Sequence, residues 1–480
     1  MQRIGAEEEF HLLDADSGTA GAARPRRARP AARRAPFTCE LQQSVVESNS
    51  GVHDTLEALY ADLVASRRRL DAAVRALGLA AAAAGTVPLA AVGSADVTPG
   101  PRYRHMTDEY RRVADEQLIC SAQVHVDVPD RDTAVRAMCL VAPWLPPLLA
   151  LSASSPFWLG TDTGYASWRT MLWQRWPTAG PAGCHRDAAD YDATVGELVR
   201  SGVISDAGMV YYDVRPSAHQ RTLELRICDA CPRAETVVLI AGLFRALVHD
   251  ACVRLARREV PACDGHHEWL RAAAWRAARS GLEGPLVDPV TRRAVPARVA
   301  LLGMLARLRP ALEASGDWET VHGLLERALA EGSAAHRLRR ATGHGGLAAT
   351  VRLLGRRHAR RHARRARRPP TGPGDARVLV TGTSGERSCG SAGSGAGGTD
   401  GRLSRWDWSC ATCAASRSRR TGRCAAMCPT PRPPTPPTTG STGCAGSPPA
   451  PRRTSRRCGR ATGCAPSCRR SCGPRRSSGN

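Results

Sequence analysis

The sequence predicts an α+β domain over residues 1–355 and a separate tail over residues 356–480. Strands are indicated where polar and apolar residues alternate, at residues 1–10, 121–128, 209–216 and 222–227. Helices are indicated where apolar residues recur at helical spacing, at residues 52–78, 107–118, 131–153 and 235–354. Beyond about residue 356 this periodicity is lost, which is typical of a segment that cannot form a packed core.

Charge divides the chain at the same place. The first 350 residues hold 41 basic and 40 acidic residues, whereas residues 351–480 hold 27 arginines against four acids. The chain has no lysine and abounds in Ala, Arg, Gly and Pro, which indicates GC-rich coding DNA. We therefore interpret the tail as either disordered or the product of a frameshift. The sequence shows no signal-peptide pattern and no apolar run of membrane-spanning length, so we expect a cytoplasmic protein.

Three consecutive acids occupy the first predicted strand. Because side chains alternate between the two faces of a strand, Glu7 and Glu9 share one face and Glu8 lies on the other. Adjacent carboxylates repel each other unless a cation lies between them, and oxygen ligands of this kind suit Mg²⁺. An acidic terminus exposed to water is an equally good interpretation of this stretch alone.

Further acids and arginines recur along the chain. Glu40 and Glu47 flank an extended segment, and a bulge or bend would be needed to direct both towards one site. Two solvated acids are the alternative. The loop before the predicted helix at 107–118 carries Arg102 and Arg104, which could bind phosphate or carboxylate or could simply face water.

Three later strands carry polar residues on one face. Gln123, His125 and Asp127 alternate with valines, which predicts a strand that lines either a cleft or solvent. Glu224 and Arg226 share one strand face, and Asp213 and Arg215 repeat the arrangement on the preceding strand. Acid and base on adjacent strands suit a site for metal and phosphate, with ion-paired surface strands as the alternative.

Other segments indicate packing. Eight cysteines in the first 350 residues lie in apolar or helical context, as reduced structural thiols do. Cys228 and Cys231 have the spacing of a redox or zinc pair, but two ordinary thiols are favoured because no second pair is suitably spaced. Residues 158–177 are dense in Trp and Arg, which predicts either a shaped loop over a pocket or a small aromatic core.

Taken in order, these motifs resemble the carboxylate–amine ligase family, also called glutamate–cysteine ligase type 2. The resemblance covers residues 1–350 and rests on nine motifs, which are Gly5-x-Glu-Glu-Glu-Phe, Glu40-x6-Glu47-x-Asn49, Thr98-Pro-Gly-Pro-Arg-Tyr-Arg, Val-His125-Val, Ser155-Pro-Phe-Trp, Asp162-Thr-Gly-Tyr, Arg175-Trp-Pro, Asp213-Val-Arg-Pro and Leu-Glu224-Leu-Arg226-x-Cys-Asp229. It implies a glutamine-synthetase-like fold, in which an antiparallel sheet forms an open cleft and helices cover its back.

The resemblance also implies a reaction and its participants. ATP would phosphorylate a carboxylate such as that of glutamate, and an amine such as that of cysteine would attack the acyl phosphate, giving γ-glutamylcysteine, ADP and phosphate. ATP and Mg²⁺ are the implied cofactors. Catalytic roles are implied for Arg226 and Arg215, and ATP contacts for Arg102, Arg104 and Arg226. The implied metal ligands are Glu7, Glu9, Glu40, Glu47, Gln123, His125 and Glu224.

One departure keeps alternatives open. The family usually has His-Val-His where this chain has Gln123-Val-His125, so an amide oxygen would replace an imidazole at the metal. A degenerate, non-catalytic member is therefore an alternative to an active ligase. A second alternative is nucleic-acid binding through the basic tail, although the tail has no pattern for specific recognition. We expect small-molecule substrates, no membrane and no specific nucleic acid, with a homodimer as a possible assembly.

Overall fold

The computed structural model describes residues 2–19, 37–90, 92–93, 96–259 and 267–365. The predicted tail, with its alternatives of disorder, frameshift and nucleic-acid binding, lies almost entirely outside these residues. The division of the chain at residue 355 therefore stays a prediction.

An antiparallel sheet of seven strands forms the centre of the domain, with β1 in the middle. Its spatial order is β2-β3-β1-β5-β9-β8, and β4 pairs with the C-terminal half of β1. Two short two-stranded sheets lie outside it. The strands are β1 (Ile4–Asp14), β2 (Phe37–Cys39), β3 (Val45–Asn49), β4 (Leu79–Ala82), β5 (Ala122–Asp127), β6 (Phe157–Trp158), β7 (Thr161–Asp162), β8 (Val214–Pro216), β9 (Thr222–Leu225), β10 (Pro285–Val287) and β11 (Ala294–Pro296).

Helices surround the sheet and dominate the second half of the chain. They are α1 (Leu56–Arg75), α2 (Pro101–Tyr110), α3 (Arg112–Asp115), α4 (Arg131–Val141), α5 (Leu145–Ser152), α6 (Trp168–Trp173), α7 (Ala188–Arg200), α8 (Ala234–Ala256), α9 (His267–Ser280), α10 (Ala297–Ala314), α11 (Trp318–Glu331) and α12 (Ala334–Arg365), with 3₁₀ turns at Ala142–Trp144 and Ala207–Met209. The predicted α+β class, with its antiparallel sheet, is confirmed.

The helices cover one face of the sheet. Helix α8 is almost wholly buried and packs on β1, β5, α1 and α4. The apolar residues of α1 that predicted a helix, among them Leu56, Leu63 and Leu70, point into this core. Burial of such side chains contributes about 25 cal/mol for each Å² of apolar surface removed from water. The helical layer therefore fixes the sheet from behind and leaves the opposite face open.

Two apolar segments are longer than the sequence led us to expect. Arg131–Ser152 and Ala234–Ala256 are long and apolar enough to cross a membrane by length and composition alone. The expectation that no such run exists was therefore wrong. In the described structure 72% of the apolar 18-residue window in each segment is buried in the protein, as is usual for core helices of globular domains.

Both ends of the helix predicted at residues 107–118 changed, each for a local reason. Helix α2 begins at Pro101, well before the predicted start at residue 107, because proline is well suited to the first helical position. It ends at Tyr110, because the next residue, Arg111, has a φ of 49° and breaks the helix that was predicted to continue to residue 118. The helical pattern predicted over residues 235–354 is interrupted by the hairpin of β10 and β11.

The cysteines largely match the expectation. Cys39, Cys120, Cys139, Cys228, Cys231 and Cys252 are free thiols, so Cys228 and Cys231 are the ordinary buried pair that was favoured. Burial raises the pKa of both thiols, which makes them inert rather than reactive. Cys184 departs from the expectation of reduced thiols because it is disulfide-bonded.

The helical layer is joined to β1 by a buried ion pair. Glu8 points to the back of the sheet, where its carboxylate accepts hydrogen bonds from Nε and Nη2 of Arg67 on α1. Arg67 also donates to the backbone carbonyl oxygens of Cys231 (2.8 Å) and Pro232 (3.3 Å), just before α8 begins. One guanidinium thus connects the central strand, α1 and the start of α8.

Arg67→Ala should lower the free energy of unfolding by about 3–5 kcal/mol, because it leaves the Glu8 carboxylate buried without a counter-ion. Urea unfolding of the full chain measures this change. Arg298→Ala on α10 is the control, since its pair with Glu326 is exposed on both sides and should contribute under about 1 kcal/mol. Similar losses in both variants would contradict the special role of the Glu8–Arg67 pair.

Candidate active site

A polar cleft opens on the face of the sheet opposite the helices. Its cavity volume is about 200 Å³. It is lined by every residue that sequence reasoning assigned to the site except Arg104, namely Glu7, Glu9, Glu40, Glu47, Arg102, Gln123, His125, Arg215, Glu224 and Arg226. These residues come from separate parts of the chain, and the pairing of the strands brings them together.

Strand register explains why the acids meet. In antiparallel pairs, residues directly opposite each other share a face of the sheet. Glu9 lies opposite Glu47 on β3, and Glu7 lies opposite Gln123 on β5. The predicted alternation of β1 is therefore confirmed, with Glu7 and Glu9 on the cleft face.

The same register extends across the other half of the sheet. His125 on β5 lies opposite Glu224 on β9, which in turn lies opposite Arg215 on β8. Arg226 follows Glu224 by two residues, so it keeps to the same face.

Glu40 reaches the cleft through a hairpin turn. Strands β2 and β3 pair antiparallel, and the turn between them covers residues 40–44. The backbone N–H of Glu40 continues the ladder by donating to the carbonyl oxygen of Val45. The seven-residue interval from Glu40 to Glu47, which seemed to require a bulge or bend, is thus spanned by two strands and their turn.

Carboxylates crowded in this cleft resist ionisation. Burial and the charges of Glu9 and Glu7 raise the pKa of Glu40 to about 7. Burial and the charges of Glu7, Glu40 and Glu9 raise the pKa of Glu47 well above its ordinary value. Burial also raises the pKa of Glu9, against the opposing charge of Arg169 and a hydrogen bond from the Ser121 backbone N–H (2.6 Å).

Glu224 differs because two arginines contact it. Arg215 donates to both of its oxygens, at 3.0 and 3.2 Å, and Arg226 Nη1 donates to Oε1. Burial alone would raise the pKa of Glu224, but Arg215 and Arg226 outweigh burial and hold that pKa well below its ordinary value. Glu224 is therefore a permanent anion between two cations.

Gln123 and His125 lie between the acids and the arginines. The Gln123 amide oxygen accepts a hydrogen bond from Arg226 Nη1 at 2.5 Å. His125 Nδ1 is 3.0 Å from Thr222 Oγ1, which fixes the ring so that Nε2 lies 3.3 Å from Glu7 Oε1. In this structure Gln123 contacts the guanidinium of Arg226. Its role as a metal ligand stays a prediction.

The donor set fits a hard cation. Glu7, Glu9, Glu40 and Glu47 offer carboxylate oxygens. The pKa values of Glu9, Glu40 and Glu47 are raised, because ionised carboxylates are unfavourable when they are buried close together without a counter-charge. Within the described residues no three His, Cys, Asp or Glu side chains already stand in a metal-binding arrangement. The assignment of metal ligands therefore stays a prediction.

Arg102 and Arg104 separate because they lie on a helix. Sequence reasoning treated them as one loop cluster, but both lie in the first turn of α2. Residues two apart on a helix point in different directions. Arg102 lines the cleft, 3.6 Å from Asp206, whereas Arg104 is exposed and does not line it.

Sequence reasoning missed Arg169. It lines the cleft from α6, is almost fully buried, and lies with its Cζ 5.7 Å from the centroid of the Trp173 ring. Trp173 and Trp176 pack against Tyr211 and complete this wall. The density of Trp and Arg in residues 158–177 was the available signal, and both of its interpretations apply, since the aromatic cluster also lines the pocket.

The family model described as glutamate–cysteine ligase family 2 matches residues 3–355. The chain belongs to this family. The resemblance drawn from the ordered motifs is confirmed.

Named relatives agree with the family assignment. The family-2 chain is 54% identical over 352 residues to a candidate glutamate–cysteine ligase 2-2 of Frankia casuarinae, covering 72% of this chain and 40% of that protein. It is 50% identical over 348 residues to a protein of the same name from Mycolicibacterium smegmatis, covering 70% of this chain and 85% of that protein. The chain thus spans about 40% of the length of its Frankia relative.

Solved structures show the same fold. The glutamate–cysteine ligase of Francisella tularensis, solved in complex with AMP, superposes with a TM-score of 0.58 at 10% identity, covering 75% of this chain and 89% of that one. A bifunctional glutathione synthetase from Pasteurella multocida superposes with a TM-score of 0.58 at 15% identity, covering 76% of this chain and 53% of that one.

Glu40→Gln should stabilise the cation-free protein at about pH 8 by roughly 2 kcal/mol and far less at about pH 5. The carboxyl group titrates near 7 when folded and near 4.5 when unfolded, so the folded state binds more protons between these values and wild type loses stability as pH rises. Urea unfolding with a chelator tests this. Glu109→Gln, on exposed α2 surface, is the control, and a pH-independent effect of Glu40→Gln would contradict the prediction.

Proposed function

We propose that this protein is an ATP-dependent carboxylate–amine ligase that joins glutamate and cysteine into γ-glutamylcysteine through an acyl phosphate. The observation that carries the proposal is a cleft that holds both negatively and positively charged side chains. Glu7, Glu9, Glu40 and Glu47 gather at one end, and Glu224 lies between Arg215 and Arg226 at the other. Phosphoryl transfer depends mainly on positioning and on neutralising charge, and this cleft offers groups for both.

The acidic end suits the metal that ATP chemistry uses. Glu7, Glu9, Glu40 and Glu47, with Gln123, His125 and Glu224 at their border, are the proposed Mg²⁺ ligands. Bound Mg²⁺ would neutralise phosphate oxygens and help the leaving group to depart. Strand register holds these carboxylates on the β1 side of the cleft. Any bound cation would therefore lie on that side.

The basic end suits the transferring group. Arg226 is held by Glu224 and Gln123, so its guanidinium is already oriented before a ligand binds. Nearby acids, above all Glu224, outweigh burial and raise the pKa of Arg226, so it stays charged. We assign Arg226 to phosphate, Arg102 to ATP, and Arg215 to keeping Glu224 and Arg226 in place.

Substrates and location belong to the same proposal. The printed names of the relatives support glutamate and cysteine, and the AMP in the Francisella structure supports a nucleotide. A cytoplasmic location and a homodimer remain proposals, which family membership supports without deciding.

ATP turnover tests the proposal. The full chain with ATP, Mg²⁺, glutamate and a panel of amines should release ADP and phosphate, with cysteine stimulating release most. Glu224→Gln should reduce the rate by about 10²-fold or more, because Arg215 and Arg226 lose their shared counter-ion. If no amine stimulates release above the Glu224→Gln level, the ligase proposal fails and the degenerate alternative gains.

Gln123→His tests the proposed metal edge. An imidazole in place of the amide would release the hydrogen bond from Arg226 and offer a stronger metal ligand, so the Mg²⁺ and Mn²⁺ dependence of turnover should shift. His125→Ala should shift it as well. His322→Ala, on the distant helix α11, is the control. If the metal titrations of the wild type and all three variants superimpose, and wild-type turnover is measurable, the proposal that the metal binds at β5 is wrong.

A further inference from the structure

The arginines of the cleft differ in how many of their hydrogen-bond donors are used. A guanidinium has five N–H donors in a fixed fork. Arg215 uses four of them, two on Glu224 and two on the carbonyl oxygens of Gly208 (3.2 Å) and Val210 (2.6 Å). It therefore has little left to offer a ligand.

Arg169 and Arg226 are different. In each of them Nε is buried and has no hydrogen-bond partner within the described structure. A buried N–H of a cation that is left unpaired is destabilising, so such groups require an explanation. Both residues line the same cleft, and these are buried donors that the described protein groups leave unused.

The Arg169 side chain also bonds to the backbone at Arg226. Nη1 of Arg169 donates to the carbonyl oxygen of Ile227 (3.2 Å) and Nη2 to that of Arg226 (3.3 Å). The Arg169 guanidinium therefore lies against the backbone that carries Arg226. The positive charges of both arginines also lower the pKa of Glu9, so both guanidinium groups act on the same part of the cleft.

A buried carboxylate fixes Arg169 from behind. Asp229 is fully buried and accepts hydrogen bonds from Ser155 Oγ (2.7 Å), Ser167 Oγ (2.7 Å) and the Ser154 backbone N–H (3.0 Å). Its Oδ1 lies 3.9 Å from Arg169 Nη1. Ser155 Oγ in turn accepts from the backbone N–H of Arg169 at 3.1 Å.

The residues around Asp229 and Arg169 are closely packed. A Cβ atom at Gly85 would come within 2.6 Å of the Asp229 carboxylate carbon. Ser154 Oγ accepts from the backbone N–H of Gly85 and donates to the carbonyl oxygen of Ala230. The segment after β4 that contains Gly85, the Asp229 carboxylate and α6 thus pack together around Arg169.

We propose that Arg169 and Arg226 form a two-guanidinium cradle for an oxyanion, and that Asp229 is the positioning residue that holds Arg169 in it. The oxyanion is a phosphate group or a carboxylate, which present the same oxygens to a guanidinium. The inference rests on the proposed function, in which the cleft handles both groups, and it adds a residue that the ordered sequence motifs did not assign.

Anion binding tests the cradle without relying on turnover. Calorimetric titration of the full chain with inorganic phosphate, and separately with glutamate, should give weaker binding of at least one of them by about tenfold in Arg169→Lys, which keeps the charge but loses the fork. Asp229→Asn should weaken the same anion by a few fold. Arg175→Lys is the control, because Arg175 pairs with Glu116 and does not line the cleft.

The outcomes separate the possibilities. A loss confined to phosphate assigns the cradle to the phosphoryl group, and a loss confined to glutamate assigns it to the carboxylate. Unchanged binding in folded Arg169→Lys, or no binding of either anion by wild type, overturns the inference. Should Arg169→Lys not fold, Ser167→Ala replaces it, since it removes one bond to Asp229 and should weaken the same anion.

This test is independent of the ligase assay. If the wild type shows no turnover, but Arg169→Lys binds an anion more weakly than the wild type does, the proposed function fails and the cradle stands. If turnover is normal and Arg169→Lys binds both anions as wild type does, the cradle fails and the proposed function stands.

Discussion

Three consecutive glutamates at the centre of the sheet impose the main constraint on this structure. Strand β1 is the middle strand, so its side chains lie inside the protein on both faces. Carboxylates in such places require counter-charges, because an unpaired buried charge is strongly destabilising. The two faces meet this requirement in different ways, and the difference separates the scaffold from the site.

On the back of the sheet the charge is neutralised within the chain. Glu8 is paired with Arg67, whose remaining donors bond to the backbone before α8. All groups of this pair are protein groups at fixed positions, so it stabilises the helical layer and has no capacity for a ligand.

On the cleft face the neutralisation is incomplete. Glu224 is fully compensated by two arginines, but burial and mutual repulsion raise the pKa values of Glu40 and Glu47. Beside these acids, Arg169 and Arg226 keep buried Nε donors that have no partner within the described structure. A surplus of negative charge beside unused donors is an arrangement that a ligand carrying both a cation and an oxyanion would complete, and metal-bound nucleotide is such a ligand.

The sequence by itself determined the four strands β1, β5, β8 and β9, the main helices, the family and most of the cleft residues, because alternation and helical spacing act over a few residues and are visible in one dimension. It could not decide which acids share a cavity, since strand register depends on pairing between distant segments. It also misjudged Arg102 and Arg104, whose directions separate only when the segment becomes a helix, and it passed over Arg169. The position of Arg169 depends on Asp229, three serines and two backbone carbonyls from three separate stretches of chain, and only tertiary packing brings them into contact.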